Sequence, residues 1–159
     1  MEAGRLEEIF EKVNQLWEEY RKAALEAISE WEKARIPITE RVNVLKTLIT
    51  TYTKELEELR VKAELGLVDA EKANEKIARM SSELEEYKAE LDSLLGILEK
   101  FERLAFIHLK RAGLPVPTSA AELKQRIMQL EELYKEGLID EETYKRIKEG
   151  LEAQLALAD

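Results

Sequence analysis

The chain has no cysteine, one histidine, six glycines and three prolines. Without a thiol there are no disulfides, thiolate metal sites or cysteine nucleophiles. Glycine occurs only at positions 4, 66, 96, 113, 137 and 150, so neither a Gly-x-Gly-x-x-Gly loop nor a Walker phosphate loop can be built. Long apolar runs are missing too. The densest cluster, from Leu94 to Leu109, is broken by Glu99, Lys100, Glu102, Arg103 and His108 and cannot cross a bilayer as a single helix. No basic tail or stripe stands out against a net charge of −9, which argues against nucleic acid as a partner. Met1 is followed by Glu2 and an amphipathic pattern rather than a secretion signal, so a cytoplasmic location is expected.

What remains is 45% hydrophobic and 37% charged. An ordinary apolar fraction beside a high charge fits long helices, each with a buried stripe and a wide wet face. Abundant Glu, Lys and Arg without cysteine is a thermophile-like composition.

Five helices are predicted. The first, Ala3 to Arg35, repeats apolar residues at spacings of three and four from Leu6 through Phe10, Trp17, Trp31 and Ala34. That stripe is wider than a two-stranded seam and calls for at least two neighbours. Pro37 is expected to end it by forcing Ile36 into an extended conformation. The second helix, Glu40 to Leu65, would start at a Thr39 cap; its β-branched run Ile49, Thr50, Thr51 and Thr53 lowers helix propensity locally. A Gly66–Asp69 turn leads into the third, Ala70 to Ala112, whose twelve seam positions hold register from Ala73 to Ala112. Gly113 and Pro115 stop it. Residues 113–118 form a stiff linker, Ser119 and Glu122 make a capping box, and helices over 120–136 and 141–157 flank a second turn, Gly137–Asp140.

The two turns echo each other. Leu56-Glu-Glu-Leu59 precedes Gly66-Leu-Val-Asp69, as Leu130-Glu-Glu-Leu133 precedes Gly137-Leu-Ile-Asp140. Unequal spacing makes this a reuse of one αα-hairpin solution rather than a clean repeat.

The expected class is all-α, an antiparallel long-helix bundle or coiled coil. Residues 1–112 would form a three-helix bundle. Residues 119–159 would form a hairpin on the overhanging end of the third helix, giving two three-helix bundles in line that share this helix, with Gly96 near the joint. Leu98, Phe101 and Phe106 lie on that overhang, which is apolar on more than one face and must be covered by the hairpin or by a second copy of the chain. Phe10, Trp17 and Trp31 are interface candidates on the first helix, since aromatics concentrate at interface hot spots.

Residues 130–155, LEELYKEGLIDEETYKRIKEGLEAQL, resemble the short C-terminal helical hairpin known as the SHOCT domain. The resemblance rests on Gly137 to Asp140, the acidic pair Glu141 and Glu142, Tyr144 and the basic continuation through Lys148. It covers about a sixth of the chain. It implies an accessory segment that mediates oligomerisation or protein contacts, and no catalysis. The stretch from Leu56 through Leu84 is similar in style to coiled-coil regions of archaeal ESCRT-linked cell-division proteins, without the barrel domain that some of those carry.

No catalytic, cofactor-binding or metal-binding residues are assigned. His108 sits on the seam of the third helix, but position 105 is Ala, so the Glu-x-x-His pair of di-iron bundles is missing. Glu7-Glu8-x-x-Glu11 matches half of a magnesium motif of helical nucleotide pyrophosphatases, yet no Asp occurs before Asp69 to complete it. The resulting expectation is a non-catalytic helical scaffold, a homo-oligomer with a dimer favoured, that presents a surface to a protein partner. The alternatives are a peripheral membrane-remodelling or cell-division component and, further behind, a carboxylate-metal enzyme. Membrane binding is disfavoured because the acidic chain lacks a basic amphipathic face.

Overall fold

The computed structural model describes residues 2–116 and 119–158. Helix makes up 89% of them, with no strand among the described residues. The helices are α1 (Glu2–Glu64), α2 (Ala70–Arg111), α3 (Ala120–Lys135) and α4 (Glu141–Leu157). The all-α class holds. Of the predicted linker, Pro117 and Thr118 lie outside the described residues.

The first correction concerns Pro37. It does not end a helix but lies inside α1, which runs unbroken for 63 residues. Thr39 is therefore a mid-helix residue and caps nothing. An interior proline costs roughly 3 kcal/mol, because its ring crowds the preceding turn and Lys33 loses an amide partner. Two circumstances offset this. Pro37 is on the exposed side of α1. A single neighbour, α2, also grips the helix on both sides of it. Before the proline, Trp31 packs on Phe101 at 5.2 Å and Arg35 pairs with Glu102 at 3.3 Å. After it, Val42 and Leu45 are buried and Arg41 forms two bonds to Glu90. Each fully buried aliphatic side chain contributes about 1.5–3 kcal/mol, so packing on both flanks outweighs the local penalty. The β-branched stretch survives in the same way. Ile49 is in the core, and the hydroxyls of Thr50 and Thr53 bond the carbonyls one turn back.

Helix continuity changes the arrangement. No turn folds residues 3–35 back beside the next helix, so α1 and α2 form an antiparallel pair rather than part of a three-helix bundle. Pairing runs from Tyr52 beside Glu83 and Tyr87 to Tyr20 beside His108. The overhang moves as well. The end of α2 expected to project is lined by α1 and, through Glu99 and Glu102, by the α3–α4 hairpin, and it is the beginning of α1 that carries exposed apolar residues instead.

The turns form as their chemistry dictates. Gly66 and Gly137 take φ of +71° and +75°, a left-handed conformation that residues with a Cβ rarely adopt. Leu67 and Leu138 then donate to Lys62 and Leu133 at 2.9 and 3.0 Å. Asp69, Ser119 and Asp140 cap the helices that follow. The α3–α4 hairpin lies on the second half of α2, where Arg146 crosses Gly96, Gly150 meets Glu99 and Arg126 reaches Glu102. There Leu123, Leu130, Ile147 and Leu151 join Val42, Leu45 and Leu91 in one core. Glu102 ties three helices together, since Arg35 of α1 and Arg126 of α3 both reach it.

Candidate interaction surface

Every residue from Glu2 to Glu19 is exposed. On this free segment Leu6, Ile9, Phe10, Val13, Leu16 and Trp17 are each between 43% and 65% exposed. They are not scattered. Leu6, Phe10, Val13 and Trp17 prolong the line that α2 covers from Tyr20 and Ala24 onward, and Ile9 and Leu16 widen it on one flank. The segment is thus an amphipathic helix whose apolar face has lost its neighbour because α2 stops at Arg111.

Five of the six aromatic and aliphatic candidates fall into two groups, with Phe101 between them. Phe10 and Trp17 are on the free segment. Trp31, Leu98 and Phe106 are occupied within the chain: Trp31 stacks on Phe101, Leu98 packs against the core and Phe106 is buried. Phe101 keeps one side open at 40% exposure. Leu98 and Phe106 lie between α1 and the α3–α4 hairpin, beside Val42 and Ile28 on one side and Arg126 on the other.

Polar chemistry is sparse. The Tyr20 hydroxyl and His108 Nδ1 are 2.8 Å apart, which places the histidine in the seam between α1 and α2. No group of three or more His, Asp or Glu side chains suited to a metal ion occurs among the described residues. An open groove of about 590 Å³ follows the α2–α4 crossing, with Gly96, Glu99, Arg146 and Gly150 on its walls. Both glycines are there for close approach. Arg146 crosses over Gly96, and a Cβ added at Gly150 would overlap the Glu99 carboxylate.

No family model, curated protein or solved structure matches the chain. The surface must be read from its own residues.

One pair escaped the sequence reading. Asp92 of α2 faces Asp140, the cap of α4, and its Oδ1 is buried without a hydrogen-bond partner. Burial, then the neighbouring Asp140 charge, pushes the Asp92 carboxyl up to about 6. Asp140 moves the other way, held below the usual carboxylate range first by the Thr143 amide and then by its hydroxyl. Of the two acids Asp92 is therefore the first to take up a proton as pH falls. Nothing at position 92 announces this, because its partner is on another helix far along the chain.

No described helix is long and apolar enough to cross a membrane.

Proposed function

We propose that the chain is a non-catalytic helical scaffold that self-associates and presents a surface to a protein partner. The observation that carries this is the exposed apolar face of residues 2–19, continuous with a stripe that is buried elsewhere along the same helix. A soluble helix gains nothing from six large apolar side chains on one face unless something covers them. In this reading α1 and α2 form the coiled-coil body of the scaffold, the α3–α4 hairpin is a SHOCT-like contact module on its flank, and the chain works in the cytoplasm as a homo-oligomer, a dimer first. Light scattering of the full chain and of a chain lacking residues 2–19 tests it. The full chain should be an oligomer at tens of micromolar and the shortened one should not. A full chain that stays monomeric would remove the reading.

A second reading has one observation in its favour. The same face, with Phe10 and Trp17 exposed, could lie on a lipid surface as an interfacial helix. Glu7, Glu8, Glu11, Glu18 and Glu19 oppose it on anionic membranes. Pelleting with anionic and neutral vesicles separates the two, since the scaffold reading expects binding to neither.

A further inference from the structure

We infer that the occupant of the free α1 face is the same segment of a second copy, running antiparallel in a single register. This rests on the self-association reading and gives it a geometry. The exposed line consists of Leu6, Phe10, Val13 and Trp17. It is symmetric about its own midpoint. When two copies run antiparallel, Leu6 meets the partner's Trp17, Phe10 meets the partner's Val13, and the reciprocal pairs follow by two-fold symmetry. Ile9 and Leu16 then border the seam on one flank and face each other. On the opposite flank Glu7 meets Asn14, so no like charges are brought together beside the core. A shift of one heptad toward the start of α1 pairs Leu6 with Phe10 and Val13 with Ala3 but leaves Trp17 without a partner, and the opposite shift sets Leu6 and Phe10 against Ala24 and Tyr20, of which Ala24 is buried and Tyr20 half-buried within the chain.

Continuity with the α1–α2 interface selects the direction. From Tyr20 onward the same line of α1 is already covered by α2, whose buried Ala112 marks its end. A parallel partner would run along α1 into α2. An antiparallel partner occupies only the uncovered stretch, about 27 Å of helix. The end of that copy's own α2 then comes close to the start of the first chain's α1. Two hairpins are thereby joined end to end, and the apolar line of each α1 is covered first by its own α2 and then by the partner's segment.

A contact of this length falls among small, weak interfaces, so association is expected in the micromolar range. Sedimentation of the full chain from about 1 to 200 µM reads it. Val13→Asp places two charges in the seam and should weaken the dimer roughly a hundredfold or more, while helix content stays unchanged because Val13 is exposed and outside the core of the single chain. The absence of native cysteine makes cross-linking unambiguous. Leu6→Cys protein mixed with Trp17→Cys protein should form a disulfide-linked dimer, and neither should do so alone. In the proposed register the two copies of residue 6 are about 16 Å apart along the helix, beyond disulfide reach.

A Val13→Asp chain that still dimerises would overturn the inference and leave self-association standing through another face. Efficient cross-linking of Leu6→Cys protein alone would overturn the antiparallel direction. A wild-type chain that is monomeric throughout would overturn both.

Discussion

The turns at residues 66–69 and 137–140 differ by one methylene, Val68 against Ile139, and share the left-handed glycine and the bond that closes over it. Their surroundings differ entirely. The first is the bare tip of the α1–α2 hairpin, where Leu67 is 69% exposed. The second is pressed against α2, with Leu138 and Ile139 at 7% and 5%. Local sequence thus decides the turn, and the presence of a third helix decides whether its apolar residues matter. A four-residue motif that reads as one module serves in one place only to reverse the chain and in the other to dock it.

The sharpest way to break this comparison is to charge both turns. Leu138→Asp should cost about 3–5 kcal/mol and release the α3–α4 hairpin, whereas Leu67→Asp should stay within about 0.5 kcal/mol. Thermal melts of the two variants decide it; equal losses would mean that the tip is also covered. Backbone changes should behave in the opposite way. A Cβ at Gly66 or Gly137 meets no atom within 4 Å, so only the left-handed conformation is penalised. Ala at either position should cost about 1–2 kcal/mol, the same at both. The caps lie between these cases. Asp140 accepts from Thr143 at 2.7 Å in a partly buried setting, and Asp69 accepts from Glu71 at 3.3 Å in an exposed one. Asp140→Ala should cost about 1 kcal/mol and Asp69→Ala about half of that, read from denaturant midpoints.

The same division explains what was legible in the sequence. Gly66, Gly137, Asp69, Ser119 and Asp140 act within four residues of themselves, so their roles could be read directly and the ends of α2, α3 and α4 fall where those residues place them. Pro37 is equally local but was outweighed, because Trp31, Arg35, Val42 and Leu45 all find partners on one helix, α2. That single misplaced break moved the overhang from the end of α2 to the beginning of α1. It also changed the setting of the interface candidates. Phe10 and Trp17 remain at a free surface, while Trp31 and Phe106 are spent inside the chain. Asp92 was illegible for a different reason. A carboxylate at the edge of a helical seam looks like solvated surface until the turn that covers it is in place.

Asp92 yields the smallest expected effect and the one that most directly separates the two turns, since no corresponding acid is described against residues 66–69. Its carboxyl is raised to about 6 in the folded chain, against an ordinary 3.8. The folded state therefore binds more protons than the unfolded state between those values, and stability falls as pH rises through this window. The stabilising contribution of the protonated acid is complete below the ordinary value and gone above pH 6. Asp140 works in the opposite sense: its depressed carboxyl stabilises the fold above the ordinary value and loses that effect on acidification. Asp92→Asn removes the first dependence and keeps the second, because the amide can donate where the protonated acid did. Asp92 is only partly buried, so the full shift is not realised as stability; a gain of about 1 kcal/mol at pH 7.5 is expected, and none at pH 4. In a chain of this size that is a rise of roughly 2–4 °C in Tm. Melting the variant and the native chain at both values reads it directly. A gain of equal size at both would show that Asp92 is already ionised in the fold at pH 4.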